Sequence, residues 1–586
     1  MFTRKRALTR IANEKVLYER HGGGDIKVCV VYPNVYRLAM ANLGFQAVHH
    51  IFATAPRVEA DRAFMPDADE REAIRSGLVN FVSFENGRPL TDFDMIAFSI
   101  SFETDYLQLV TMLRMAGIPT RRSERAGRNY PLIIAGGSAV FLNPEPIADF
   151  VDLFLIGEGE EMVPEFLAAY ERERSNGEIS LTTLARVEGA YLPDYFSPLM
   201  NDSGRLGAVE YSGPGPARVK RRMLHDLDRF TTASLILTDE SVFGDMYLVE
   251  ASRGCQWGCR FCAAGFMYRP IRYRSPQKLI AEASRGLSER KVIGLVGAEM
   301  ASVPGVADIA TAVADGGGRL SPSSLKADCI SPQLAAALRR NGNRSVTIAP
   351  EAGSERMRKV INKNLTEAQI LEAATMLIGQ GIENLKLYFM VGLPEEHDED
   401  VLAIARLTGL IIERSRAAKK PIGGVTVSLN PFVPKPWTPF QWDAMEDAQT
   451  LKRKVAMLRT ELGRDWGNTV GLDAESPREA YFQTLVSRGD RRVGAILERL
   501  SANSCEEPGA IWQELRRIKR EAADGSSLPD PDSYVTRSYG HDETLPWDFI
   551  DHHIHKWFLL SERKKAHFEH QTKPCDVTRC TVCGAC

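Results

Sequence analysis

The sequence has no apolar run close to the roughly 18 residues that a membrane span takes, so it offers no candidate transmembrane helix. It also lacks an excess of charge. Lys and Arg number 73 against 76 Asp and Glu, for a formal charge of -3, and bulk attraction to nucleic acid or an anionic surface is therefore not expected. The opening MFTRKRALTRIANEK is basic and helix-like without the apolar centre of a secretory signal, which leads to the expectation of a cytoplasmic protein with no membrane partner. No internal repeat or low-complexity tract is found, which excludes solenoids and propellers. Cysteine is scarce, ten in 586 residues. Three fall within 255–262 and four within 575–586, while Cys29, Cys329 and Cys505 stand alone and read as packing residues. In a reducing compartment, two clusters of thiols point to metal instead of disulfides.

What is present fits a multidomain globular chain. The apolar share is 44% and the charged share 25%, and 586 residues exceed what one core serves. After an N-terminal helix (1–25), residues 26–165 alternate short apolar runs with helical stretches. KVCVVYP, DMIAFSIS, LIIAGG and LFLIGEG each end in turn-forming residues, as buried parallel strands do. The predicted fold is α/β: an N-terminal doubly wound parallel sheet, with its ligand at the carboxyl ends of the strands. A connecting segment (166–240) leads to a second alternation over 241–440, six strand-helix units that fit a partial (β/α)6 barrel. Residues 441–570 read as a helical C-terminal region and 571–586 as a Cys-rich tail.

ASRGCQWGCRFCAAG follows the first barrel strand and spaces Cys255, Cys259 and Cys262 as CxxxCxxC. Three thiolates on one loop can each bind one iron of a cubane and leave the fourth iron open. A structural zinc is the alternative, but it takes four ligands, and neither a fourth local Cys nor a nearby His is present. With Phe261 before the third Cys, this segment resembles the radical S-adenosylmethionine (SAM) superfamily over roughly 242–440. The resemblance implies a [4Fe-4S] cluster that chelates SAM and cleaves it to a 5'-deoxyadenosyl radical. It also implies SAM contacts by Phe261, by Gly297 and Glu299 in a Gly-Ala-Glu turn, by Glu351, Ser354 and Glu355 in APEAGSER, and by Gly392 in VGLPEE. Ser354 reads equally well as a helix N-cap. NPFVPKPWTPFQW, rich in prolines and aromatics, suits a stiff lid over the cavity.

A doubly wound sheet ahead of such a barrel resembles the cobalamin-binding class of the superfamily. The matching loops are YPNVYRLAMANLG, SISFETD, IIAGGSAVFLNPEP and GEGEE, and they imply that Ser99, Ser101, Gly136, Gly137 and Ser138 surround cobalamin. The DxHxxG motif, whose His would ligate cobalt, is absent, so the lower face of the corrin is expected to meet side chains near Tyr106 and Leu107, or water. A sheet that has lost its cofactor and only caps the barrel is the alternative. Chain-wide, the combination is similar to a bacterial family of fused cobalamin-type and radical domains of unassigned substrate.

CDVTRCTVCGAC places Cys575, Cys580, Cys583 and Cys586 as Cx4CxxCxxC, which suits a second [4Fe-4S] cluster, a zinc site or a flexible tail. Three functions compete. The first is cobalamin-dependent methyl transfer to an unactivated centre, where general-base removal of a proton is out of reach. The second is methylthio or sulfur insertion into RNA or protein, with the tail cluster as donor and the basic segments SRGDRR, KRK and RRIKR as a surface. The third is a non-catalytic cobalamin and cluster sensor. Either enzyme needs a reductant such as flavodoxin or ferredoxin, and its substrate is a small molecule, RNA or protein.

Overall fold

The computed structural model describes residues 2–177, 179–214, 216–420 and 422–585. Strand Ile26–Tyr32 (β1) shows why the N-terminal sheet forms. Val28, Val30 and Tyr32 enter one buried cluster, while Cys29 and Val31 enter another on the opposite face, as the two-residue period of a strand dictates. Both faces are covered by helices, Leu43–Thr54 (α1) and Gly159–Ser175 (α3) on one side and Tyr106–Met115 (α2) on the other. With Val58–Phe64 (β2), Met95–Ser99 (β3), Leu132–Gly136 (β4), Leu153–Leu155 (β5) and Ala190–Tyr191 (β6), the sheet order is β2-β1-β3-β4-β5-β6. Only the edge pair β5–β6 is antiparallel. This is the flavodoxin-like order, and its ligand crevice opens between β1 and β3, where the winding reverses.

The six expected barrel strands are present as Met246–Glu250 (β7), Val292–Val296 (β8), Arg319–Pro322 (β9), Ser345–Glu351 (β10), Asn384–Val391 (β11) and Gly424–Pro431 (β12). All neighbouring pairs are parallel, and one bridge, Leu325 to Ile348, joins β7-β8-β9 to the rest. A seventh strand, Val470–Ala474 (β13), adds to β12. It was not foreseen because VGLDA alternates half-buried and exposed positions and lacks the run of apolar residues that marks an inner strand. Helices between the strands start where the sequence caps them. Ser275 and Ser331 accept the backbone N–H of Lys278 (3.2 Å) and Leu334 (3.1 Å), each with Pro in the next position.

Helices Ala448–Trp466 (α4), Pro477–Arg488 (α5), Val493–Ala502 (α6), Pro508–Ala523 (α7) and Lys556–His567 (α8) form the C-terminal region. Two sequence readings change here. The segment NPFVPKPWTPFQW is no lid: Trp437, Phe440 and Trp442 are buried in the core, and Lys435 pairs with the buried Glu103 at 2.7 Å. SRGDRR is not a binding surface. Arg488 is fully buried and donates to Tyr534 O at 2.7 Å, and Arg491 reaches Glu145 at 3.2 Å. In KRK, Lys454 is buried against Glu396 and Glu446, while Arg453 pairs with Asp398 at an exposed position, and in RRIKR Arg516, Arg517, Lys519 and Arg520 are exposed.

Sheet and barrel are joined through Glu158, in the loop between β5 and α3. Its carboxylate accepts from Arg272 at 2.7 and 2.8 Å, from Arg253 at 3.1 Å and from Leu224 N at 3.0 Å. Burial pushes this carboxyl up, but the two guanidinium groups hold it below the usual range. Replacing Glu158 by Ala strands buried cations, and we expect a loss of about 3–5 kcal/mol in denaturant unfolding. Glu161→Ala, which breaks pairs at a 31% exposed side chain, should cost about 1 kcal/mol or less.

Candidate active site

The cysteine loop leaves β7 and turns at Gly254, whose φ of +85° and close approach to Tyr268 O leave no room for a Cβ. Beyond it, Ser252–Arg253 pairs antiparallel with Arg272–Tyr273 and closes the base of the loop. Arg260, fully buried, ties the loop to segments elsewhere in the chain. It donates to Val360 O (2.7 Å) and His570 O (2.6 Å) and meets Glu562 at 3.2 Å. Asn362 Nδ2 adds a bond to Gly258 O at 3.0 Å. Cys259 is buried, and Cys255 and Cys262 are half-buried. Burial pushes all three thiols up; Lys363 opposes this at Cys259, which lies at about 11. Proximity among the thiols raises Cys255 and Cys259 further.

Lys363 is one of two basic groups beside this loop. It is 7% exposed and pairs with Glu351 at 3.1 Å. Glu351 ends β10 at a register shift with φ +67°, a conformation that costs a non-glycine residue about 1–3 kcal/mol and persists only where surroundings impose it. On the other side, Lys326 lies 3.8 Å over the Trp257 ring and pairs with Asp328 at 2.5 Å.

The other SAM candidates are distributed around the strand ends. Gly297 packs closely, and a Cβ there would require Met300 Cε and Ser252 Oγ to shift. Glu299 accepts from Ala301 N (2.7 Å), Ser302 N (2.9 Å) and Lys326 N (3.3 Å), so it shapes its own loop. Ser354 does what its capping alternative foresaw, accepting from Met357 N at 3.0 Å, and it donates to Asp400. Glu355 is exposed and accepts from Glu367 N at 3.2 Å. Gly392 turns at φ +79° with its N–H on Glu396. Phe261 packs at the edge of a small cluster with Met357 and Phe440. Two donors that sequence reasoning missed are buried without a hydrogen-bond partner among the described residues: Ser252 Oγ and Trp257 Nε1. Both lie inside or beside the motif, but spacing carries no sign of an unmet hydrogen bond.

A cavity of about 520 Å³ lies between sheet and barrel. Ser99, Ser101, Gly136, Gly137 and Ser138 all line it from the sheet, and Leu248, Glu250, Arg253 and Val296 line it from the barrel. Gly137 has φ +110°, and a Cβ there would fall 2.3 Å from Ile100 O. Asn42 caps α1 at its rim, accepting from Phe45 N at 2.9 Å and donating to Ser101 Oγ at 2.9 Å. Tyr106 and Leu107, expected beneath the corrin, do not reach the cavity. Both are buried in the core through α2, and Tyr106 donates its hydroxyl to Asn143 O. Phe102 and Phe141 take that wall instead.

Residues 249–408, which hold the three thiols, match the family model of the radical SAM superfamily, and residues 44–193 match the model of the N-terminal part of radical SAM proteins. The chain is a radical SAM enzyme. An uncharacterized protein of Methanocaldococcus jannaschii is 28% identical over 476 residues, 80% of this chain and 90% of the relative. Among solved structures, the radical SAM methyltransferase TsrM from Kitasatospora setae, with cobalamin and a [4Fe-4S] cluster bound, is 12% identical with a TM-score of 0.49, over 82% of this chain and 99% of that one. The cobalamin-dependent SAM radical enzyme OxsB is 13% identical with a TM-score of 0.47, over 93% and 79%.

For a radical SAM enzyme the donor set fits a [4Fe-4S] cluster. Cys255, Cys259 and Cys262 would hold it on separate irons, which does not require their sulfurs to converge on one point. A radical cluster beside Lys363 feels a buried cation, and net charge is one of the determinants of cluster potential. Lys363→Met is therefore expected to move the cluster midpoint to more negative values in an EPR-monitored redox titration, with iron content unchanged. An unmoved midpoint would mean that Glu351 already neutralises the charge.

Proposed function

We propose that this radical SAM enzyme is a cobalamin-dependent methyltransferase acting on an unactivated carbon or phosphorus centre. One observation carries the reading: five sheet residues chosen from sequence for cobalamin, together with the ends of barrel strands β7 and β8, line a single cavity of about 520 Å³. It opens at the switch point of the flavodoxin-like sheet, where such folds take their ligands. When bound, the cluster supplies the electron that cleaves SAM, and cobalamin supplies the methyl group. The chain contributes the enclosure. Gly137 lets the turn after β4 pack directly against the Ile100 backbone at the cavity floor, the N-terminus of α1 at Asn42 favours a phosphate of a nucleotide tail, and Phe102, Phe141 and Phe243 form apolar walls. The electrons would come from a one-electron donor of the flavodoxin or ferredoxin class.

The sulfur-inserting alternative has less support. The cavity beside the tail thiols shares no lining residue with the one between sheet and barrel, and the arginines of SRGDRR are engaged within the protein. A sensor would not need the SAM contacts that the barrel's resemblance implies.

Titration of the purified, reconstituted protein with hydroxocobalamin should give saturable binding and a base-off visible spectrum, and Gly137→Val should abolish it. Absence of saturable binding in protein that still forms 5'-deoxyadenosine would reject methyl transfer and leave the radical chemistry standing. Separately, Ala at Cys255, Cys259 or Cys262 should reduce 5'-deoxyadenosine formation to background.

A further inference from the structure

The C-terminal tail lies against the radical-cluster loop. Cys575 N donates to Gln256 O at 2.8 Å, and Thr572 N donates to Asn362 Oδ1 at 2.8 Å, while Asn362 in turn holds Gly258. Further along, His555 N donates to Cys583 O at 2.9 Å. This folding brings Cys575, Cys580 and Cys583 around one cavity of about 330 Å³, whose other walls include Gly258, Arg269 and Lys573.

Two observations indicate what occupies it. Arg269 is 6% exposed, and among the described residues no carboxylate forms an ion pair with it. Glu562 and Asp576 line the same cavity, but Glu562 is committed to Arg260 and Lys565, so a buried cation remains to be met, and thiolates bound to a metal centre are anionic. Moreover, among the described residues no three His, Cys, Asp or Glu side chains converge as the ligands of a single ion. Zinc needs such convergence. A cluster spreads its thiolates over separate irons and does not. The sequence places one more thiol, Cys586, at the same CxxC spacing, outside the described residues.

We propose that Cys575, Cys580 and Cys583 hold a second [4Fe-4S] cluster in this cavity, which shares no wall with the interdomain one. The proposal is independent of cobalamin, whose binding is read from its own visible spectrum.

The test counts metal in full-length protein reconstituted anaerobically with iron and sulfide. Wild type should carry about eight irons per chain, and both the triple variant C255A/C259A/C262A and the double variant C580S/C583S about four each, given four irons per cluster. The triple variant should keep a [4Fe-4S] EPR signal on reduction, and adding C580S and C583S to it should remove that signal. Zinc in place of iron, or no metal, in the triple variant would overturn the proposal. So would a full wild-type iron content in the double variant. Should the double variant fail to fold, the triple variant alone decides, because its tail is intact.

Discussion

A single buried carboxylate holds the two halves of this enzyme in register. Glu158 belongs to the sheet, and its partners Arg253 and Arg272 belong to the two short strands that close the cysteine loop. The side chain is nearly inaccessible, at 3% exposure. Burying one carboxylate among arginines is stabilising only when every charge is met, and this is why Glu250 and Glu160 also gather around Arg253. The interdomain cavity, the base of the cysteine loop and the crevice of the sheet all border this cluster of charges. A shift of the sheet relative to the barrel would unpair several of them at once.

The enclosure is completed from a third direction. Asn143, at the end of the Ser138–Leu142 helix, donates to Ser487 O and Gly489 O, and Glu103 takes Lys435 and Ser487. The helical region thus clamps the loops of the sheet from below while Glu158 clamps them from the barrel side. Loops of a doubly wound sheet are usually its most mobile parts. Here those nearest the cavity are tied to other domains.

Much of this was legible in the sequence, and the boundary has physical reasons. Inner strands such as β1 and β3 declare themselves because burial on both faces demands unbroken apolar residues. The thiol triad declares itself because three iron ligands on one loop must follow close spacing. Ser99 to Ser138 could be picked out because strand ends are read directly from strand runs. The misreadings share a cause: each depended on partners far away in sequence. Trp437 and Trp442 are equally aromatic in a lid and in a core. Arg488 looks like a surface cation until Tyr534, 46 residues later, supplies a carbonyl. Glu158 sits in GEGEE, where nothing local tells a ligand contact from a counter-ion for arginines 95 and 114 residues on.

The anchoring of Arg260 has a consequence in time. Its guanidinium is satisfied by Val360 O, but also by Glu562 and His570, which lie 302 and 310 residues further along the chain. At synthesis rates of about 5–20 residues per second, those last partners arrive about 15–60 s after Arg260 itself. During that interval these contacts are missing. The anchoring of the cysteine loop is therefore completed last, when α8 and the residues after it arrive.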